Sequence, residues 1–198
     1  MLSNCLGVLL CLFLSALYHT FNSKDQWTQN FLVRIDYAGI SLLILGTSMA
    51  PANYIFVCGG SQEWRIFFTG YLTLVCFAAF LLTVVPYFNR PGFQVFRISV
   101  FGVNGFSALA PYLVAWTYES DNNVIRQEMS FVAIGASCYV LGGLIYAFLF
   151  PECCRPGKFD IFGASHQIFH TLIVIGSLSF FYSNYLLLQE RQNFVCQN

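Results

Sequence analysis

The feature that most constrains this chain is the recurrence of long stretches without a charged residue. Histidines aside, six stretches lack Asp, Glu, Lys and Arg: 1–23, 37–62, 66–89, 98–118, 129–151 and 161–189. Each is long enough to cross a bilayer as a helix, which takes about 20 apolar residues. Charged residues make up only 9% of the 198 residues, against about 25% in an average soluble domain. We therefore predict an all-α, polytopic membrane helical bundle that forms a single domain over 1–198.

The six predicted spans cover approximately 1–20, 36–58, 66–88, 96–118, 129–150 and 162–187. Trp27, Trp64 and Trp116 lie near the ends of the uncharged stretches, where indole rings favour the membrane interface. The formal net charge is zero, which gives no electrostatic reason to expect a nucleic acid partner. The first stretch is expected to be a mature span, because it has neither the basic leading segment nor the cleavage pattern of a signal peptide.

The eight cysteines do not indicate a disulfide framework, and no C-x-x-C pair is present. Cysteine inside a span acts as a small apolar residue, which describes Cys5, Cys11, Cys76 and Cys138. The adjacent Cys153 and Cys154 instead follow the fifth span. Two interpretations are open for this pair: S-acylation of a juxtamembrane site, and two ordinary thiols, which is the simpler one.

The basic residues indicate an orientation in the membrane. Connections from odd to even spans carry six of the nine Lys and Arg: Lys24, Arg34, Arg90, Arg97, Arg155 and Lys158. The opposite face carries Arg65, Arg126 and Arg191. Because Lys and Arg accumulate in cytoplasmic loops, the first face is predicted to be cytoplasmic. Both chain ends are then extracytoplasmic, and we expect the plasma membrane.

All three histidines lie on this predicted cytoplasmic side, together with the acid that starts the second predicted span: His19, Asp36, His166 and His170. His166 and His170 are four residues apart and share a helical face, as do Ser15 and His19. A histidine inside a span is rare and marks a functional site by default. The cluster is therefore the candidate site of this chain.

Three imidazoles on converging helices form the ligand set of a catalytic zinc site, which keeps a fourth position open. Zinc lowers the pKa of a bound water to about 7, and a neighbouring carboxylate can act as a general base. Gln167 stands where a soluble metalloprotease carries glutamate, so Asp36 is the candidate base and Ser15 a hydroxyl that orients a ligand. A proton or ion relay and plain packing of buried polar side chains are the alternatives. Few polar residues are expected between this cluster and the opposite face, which argues against a relay.

Three segments, taken in order, carry a family resemblance: "SALYH", "RIDYAGISLLILG" and "PGKFDIFGASHQIFH". They resemble the progestin and adipoQ receptor family, which is related to bacterial hemolysin III, and are most similar to its adiponectin-receptor branch. The resemblance extends from the first span to near the C-terminus. It implies a seven-helix membrane receptor with a cytoplasmic N-terminus and an extracellular C-terminus. The expectation is that this chain carries six of those helices and lacks the first helix and the N-terminal region.

The resemblance also implies roles for individual residues. The zinc ligands of the family correspond to His19, His166 and His170, its acid beside the metal-bound water to Asp36, and its serine to Ser15. The implied ligands are extracellular proteins of the adiponectin type or, in another branch, steroids.

The implied function is signalling by a receptor that also hydrolyses lipid amides, in the manner of a zinc-dependent ceramidase acting on ceramide-like membrane lipids. Two alternatives stay open. One is a receptor whose zinc is purely structural, and the other is a membrane protein that conducts protons or ions.

We predict that the histidine end of the bundle faces the cytoplasm. An epitope tag placed after Asn198 should be reached by antibody on intact cells, whereas a tag beside Asn89 should require permeabilised cells, because basic loops are retained inside. The reverse labelling pattern would contradict the orientation.

Overall fold

The computed structural model describes residues 1–56, 62–90, 92–119, 123–159 and 161–192. These residues form helices α1 (Leu2–Phe21), α2 (Gln26–Tyr54), α3 (Gln62–Val84), α4 (Gln94–Ser107), α5 (Ala110–Glu119), α6 (Asn123–Ala147) and α7 (Ser165–Gln192), with no strand among them. A short 3-10 turn, Pro86–Asn89, follows α3. Helices α4 and α5 together make one span, so the described chain has six segments long and apolar enough to cross a membrane. The predicted all-α, polytopic bundle is confirmed.

Helix α2 begins well before the predicted span 36–58, at Gln26. Asp25 caps it, because its carboxylate accepts hydrogen bonds from the backbone N–H of Thr28 at 2.8 Å and from the Thr28 hydroxyl at 2.7 Å. These bonds lower the pKa of Asp25, as expected for an acid at a helix N-terminus. Asp36 therefore lies inside a helix, roughly three turns from its start. Residues 57 and 58 of the predicted span lie outside the described residues.

The fourth span is two helices rather than the continuous segment predicted over 96–118. Helix α4 ends at Ser107, and the amides of Ala108 and Leu109 close the turn on the carbonyls of Asn104 and Phe106. Helix α5 then starts with a proline in its first turn, where the missing N–H is tolerated. Apolar composition alone does not predict this break, because the residues around it are as apolar as those of a continuous membrane-spanning helix.

Helices α1 and α2 pack with their backbones in contact. A Cβ atom on Gly7 would lie 2.8 Å from a carbonyl oxygen of α2, and one on Gly46 would overlap the carbonyl of Ser3. A Cβ on Gly39 would lie 3.1 Å from the Cα of Cys11. In lipid, small residues at helix interfaces allow this approach, and van der Waals contact then holds the helices together.

This contact sets the register of the polar residues on the two antiparallel helices. Because Gly39 faces Cys11, the next turn of α1 brings Ser15 level with Asp36. Further along α2, Leu43 and Thr47 are buried.

Helices α6 and α7 make a second close pair. A Cβ on Gly135 would lie 2.8 Å from the ring of Phe180, and one on Gly142 would lie 3.3 Å from the ring of Phe169. The glycines of α6 therefore receive the aromatic side chains of α7. This pairing holds the first turns of α7, which carry the two histidines, beside the end of α6.

Buried polar side chains continue away from the histidines, contrary to the sequence-based expectation. The Tyr139 and Ser177 hydroxyls lie 2.9 Å apart. Tyr112 donates to Oδ1 of Asn184 at 3.2 Å, and Nδ2 of Asn184 donates to the carbonyl of Thr47 at 3.2 Å. The expectation was wrong because serine, threonine, asparagine and tyrosine carry no charge and leave the uncharged stretches unbroken.

Replacing Gly46 by alanine should destabilise the bundle by about 1–3 kcal/mol, the usual range for overpacking, because the new methyl group meets the carbonyl of Ser3. Gly70→Ala is the matched control, since nothing lies within 4 Å of a Cβ at that position. Thermal unfolding of both variants in detergent measures the difference. Equal midpoints would contradict the close contact between α1 and α2.

Candidate metal centre

Three histidines from opposite ends of the chain meet at the end of α1 and the start of α7. The Nε2 atom of His166 lies 2.8 Å from Nε2 of His19 and 3.0 Å from Nε2 of His170. Each residue offers one ring nitrogen, and these nitrogens all lie within 4.8 Å of one another. The structure thus brings together the three histidines that the sequence singled out.

The three histidines are better suited to bind a metal ion than to hydrogen-bond to one another. A neutral imidazole nitrogen is either a donor or an acceptor with one lone pair, so Nε2 of His166 completes only one good hydrogen bond with its two neighbours. A cation instead takes the lone pairs of all three nitrogens. Tetrahedral zinc with Zn–N bonds of about 2.0–2.1 Å holds its ligand nitrogens about 3.3 Å apart. The observed separations of 2.8 and 3.0 Å need only a slight opening to reach that value.

Ser15 and Asp36 adjoin the histidines. The Ser15 hydroxyl oxygen lies 3.3 Å from Nε2 of His170, and this side chain is only 4% exposed. Asp36 is half-buried, and its carboxylate interacts with the Ser15 hydroxyl and with His19. Among the described residues, the group able to hold a metal consists of the three histidines and does not include Asp36. The carboxylate is therefore beside the nitrogen cluster rather than part of it.

Tyrosines that the sequence analysis did not single out surround the cluster. The ring of Tyr18 lies 4.9 Å from the ring of His19, and the ring of Tyr146 lies 5.1 Å from the ring of His166. Tyr18 precedes His19 in the chain, so its proximity was available from the sequence. Tyr146 comes from α6, and only the pairing of α6 with α7 brings it to the site.

The site is open on one flank. His19 is exposed, whereas His166 and His170 are half-buried and Ser15 is buried. A molecule can therefore approach the three nitrogens past the end of α1.

Glu152, in the loop between α6 and α7, fixes the start of α7. Its Oε1 atom accepts hydrogen bonds from the backbone N–H of Ser165 at 2.7 Å and from the Ser165 hydroxyl at 2.9 Å. Desolvation opposes ionisation of Glu152, but hydrogen bonds from its own backbone N–H and from Ser165 outweigh it and lower its pKa. An ionised carboxylate at a helix N-terminus satisfies unpaired N–H groups and complements the helix dipole. The turn that carries His166 is thereby anchored to the loop.

The side chain of Gln167 hydrogen-bonds to the same loop and not to the histidine cluster. Its Oε1 atom accepts a hydrogen bond from the N–H of Gly163 at 2.8 Å, and its Nε2 atom donates to the carbonyl of Ile161 at 2.9 Å. Both polar atoms of this side chain are therefore occupied by the loop. A base for chemistry at the histidines has to come from another residue.

Comparison with known proteins decides the family. The family profile described as haemolysin-III related matches residues 1–181 of this chain. The chain belongs to the haemolysin-III-related family. Its adiponectin-receptor-like character, which the sequence motifs indicated, is confirmed by the relatives.

Three relatives illustrate the likeness. Heptahelical transmembrane protein 4 of Arabidopsis thaliana is 34% identical over 185 residues, which is 93% of this chain and 48% of that protein. Heptahelical transmembrane protein ADIPOR1 of Oryza sativa subsp. japonica is 29% identical over 194 residues, 96% of this chain and 50% of that protein. The adiponectin receptor protein of Drosophila melanogaster is 29% identical over 170 residues, 85% of this chain and 38% of that protein. The chain thus spans about half the length of the curated relatives it matches.

These comparisons agree with the structure on the class of protein. The relatives include proteins named as heptahelical transmembrane proteins, and the described chain contains six segments able to span a membrane. This haemolysin-III-related chain is therefore a multi-pass membrane protein.

The purified chain should hold about one zinc ion, as a three-histidine site does, and His19→Ala, His166→Ala and His170→Ala should each lose most of it. Elemental analysis by mass spectrometry measures the ratio of metal to protein. Gln167→Ala is the matched control, because this residue lies on the same turn of α7 but bonds to the loop, and it should keep its metal. Unchanged metal in all three histidine variants would refute the metal centre.

Proposed function

We propose that the three histidines bind zinc and that the site hydrolyses the amide bond of ceramide-like membrane lipids. The observation that carries the proposal is the meeting of three Nε2 atoms beside a buried hydroxyl and a half-buried carboxylate. Zinc held by three imidazoles keeps an open position, where it polarises a carbonyl group and makes water a nucleophile near neutral pH.

Asp36 is the general base in this proposal. Its carboxylate lies beside the histidines without being one of the clustered donors, so an oxygen of Asp36 is available to take a proton from the attacking water. The same carboxyl group then returns the proton to the nitrogen of the leaving amine, which completes the hydrolysis of the amide.

Ser15 orients this base. Its hydroxyl lies between Nε2 of His170 and the Asp36 carboxylate. Once the lone pair of His170 is used for the metal, the hydroxyl hydrogen is left to donate to Asp36. A side chain that holds a catalytic group in this way is expected to affect its orientation rather than to react itself.

The openness of the site favours a substrate that arrives from the membrane. His19 is exposed at the flank of the bundle. A cavity inside the bundle, at the break between α4 and α5, has a volume of about 40 Å³, whereas pockets that enclose a ligand measure roughly 300–1,000 Å³. We therefore place the acyl chain along the lipid-facing flank beside His19, with the amide group directed to the histidines.

The chain is proposed to act within a signalling receptor of the plasma membrane. The likeness to a protein named adiponectin receptor supports this role, and the ligand classes considered are an extracellular protein and a steroid. The distribution of Lys and Arg supports a cytoplasmic histidine end and an extracellular C-terminus. The last residues, 193–198, lie outside the described part of the chain.

A receptor with purely structural zinc is the second candidate, and one observation favours it. The cluster joins the first span to the last, through His19 to His166 and through Ser15 to His170. A metal at this point would fix the two helices against each other and contribute to folding without any reaction.

A proton path is less well supported. The polar groups in the other half of the bundle include Ser177, which is two turns of α7 away from His170 and thus about 10 Å along the helix axis. This distance is too long for a direct hydrogen bond between the two groups.

Asp36→Asn tests the hydrolase against the structural site. Asparagine keeps the shape of the side chain and its hydrogen bonding but has no basic oxygen, so zinc should stay bound while fatty acid release from ceramide falls by ~10²–10⁴-fold, the usual contribution of a general base. Asp25→Asn is the matched control at the start of the same helix. Asparagine is also a good cap, so the rate of this variant should be unchanged.

Two results would contradict the proposal in different ways. Loss of zinc from Asp36→Asn would make Asp36 a ligand and remove the open position. If the unsubstituted, zinc-loaded protein cleaves no ceramide, the structural receptor replaces the hydrolase.

A further inference from the structure

The loop between α6 and α7 presents two adjacent thiols that the proposed chemistry does not use. Cys153 and Cys154 are both free and exposed, with their Sγ atoms 3.6 Å apart. The N–H of Cys153 bonds to the carbonyl of Leu149 at 2.7 Å, and the N–H of Cys154 bonds to the carbonyl of Pro151 at 3.0 Å. The backbone here is thus folded into hydrogen-bonded turns, while the thiols stay accessible.

Large apolar side chains are exposed on both sides of this pair. They are Phe148, Leu149 and Phe150 before it and Ile161 and Phe162 after it, with exposed fractions between 50% and 90%. The first three continue directly from the end of the membrane-spanning helix α6. Burial of one such side chain is favourable by about 1.5–3 kcal/mol. The interface of a bilayer is a place where such side chains become buried. The loop is therefore expected to lie against the membrane.

Charge and hydrogen bonding indicate where the loop lies relative to the membrane. Arg155 and Lys158 lie between the two apolar segments, and basic residues beside a membrane are attracted to anionic headgroups. Glu152, next to Cys153, bonds to the first residue of α7. We therefore expect the thiols to lie at the level of the headgroups, close to the start of α7.

The thiol of Cys153 is not activated by its surroundings. A hydrogen bond with Cys154 is the main cause that raises the pKa of Cys153, so the fraction of thiolate at neutral pH is small. We therefore expect acylation of this site to be carried out by an enzyme.

We propose that Cys153 and Cys154 form a site of S-acylation by long-chain fatty acids. The cysteine sulfur attacks the carbonyl carbon of a long-chain acyl-coenzyme A, a new thioester bond forms, and the bond from that carbon to the sulfur of coenzyme A breaks. Coenzyme A leaves as a thiol and carries the proton of the cysteine, so no oxidant or reductant is needed. The acyl chain enters the leaflet beside the exposed apolar side chains and adds a membrane anchor to the loop. The proposal rests on the cytoplasmic location of this loop.

Labelling with an alkyne-tagged long-chain fatty acid tests the site in eukaryotic cells that express the full chain. The protein should incorporate label that neutral hydroxylamine removes, because this reagent cleaves thioesters. The double variant Cys153→Ser, Cys154→Ser should incorporate at least about tenfold less, since juxtamembrane cysteines are the acylated ones. Cys5→Ser removes an exposed thiol at the other end of α1 and is the matched control, which should keep its label.

Three results would overturn the proposal. The first is equal label in the double variant, when size-exclusion chromatography shows that it is as well folded as the unsubstituted protein. The second is a lack of label in a cell sample where another S-acylated membrane protein is labelled. The third is a pair of thiols that react with maleimide only after dithiothreitol, which would indicate a disulfide.

A membrane-impermeant maleimide, added to intact cells, separates the failure of this proposal from that of the metal centre. Reaction that depends on Cys153 and Cys154 would place the loop outside the cell, and would overturn both the acylation and the orientation. The metal content of the same protein is measured independently, so it still tests the histidine site.

Discussion

Backbone contact between α1 and α2 is the constraint on which the geometry of the site depends. Lipid offers helices no hydrophobic reason to associate, so close packing at small residues has to supply the attraction. Gly7, Gly39 and Gly46 provide it here, because a Cβ atom at any of them would press on the facing backbone. The register of that contact brings Ser15 level with Asp36 and leaves His19 one turn further along α1.

The histidine cluster forms where two such helix pairs meet. One pair is α1 with α2, and the other is α6 with α7, which packs through glycines and aromatic rings. Each pair is held by contacts that do not involve the histidines, and Glu152 additionally anchors the first turn of α7. A metal site needs its ligands positioned by supporting structure rather than by the metal alone. The two pairs supply that support, and the exposed edge at His19 leaves access from the flank.

The sequence predicted most of the candidate site and the number of spans, for reasons that are physical. Every connection between the predicted spans contains charged residues, so the spans stand out as stretches without charge. The four-residue spacing of His166 and His170 defines a helical face without knowledge of the fold.

The sequence did not predict the break in the fourth span or the early start of α2. Both depend on local hydrogen bonds, and the composition of the residues around them does not indicate these bonds. The contacts of Tyr146 and Glu152 were missed because they connect separate parts of the chain. The polar network around Asn184 was missed because its members carry no charge.

The central claim is that three imidazole nitrogens bind zinc while one position stays open and Asp36 stays outside the metal shell. X-ray absorption spectroscopy at the zinc edge, on the purified protein, tests it most directly. The account predicts scattering from three imidazole nitrogens at about 2.0–2.1 Å and from the oxygen of one water ligand. The Asp36→Asn variant should give the same spectrum. Sulfur scattering at about 2.3 Å, the distance of a cysteine ligand, or a spectrum that changes when Asp36 is replaced, would contradict it.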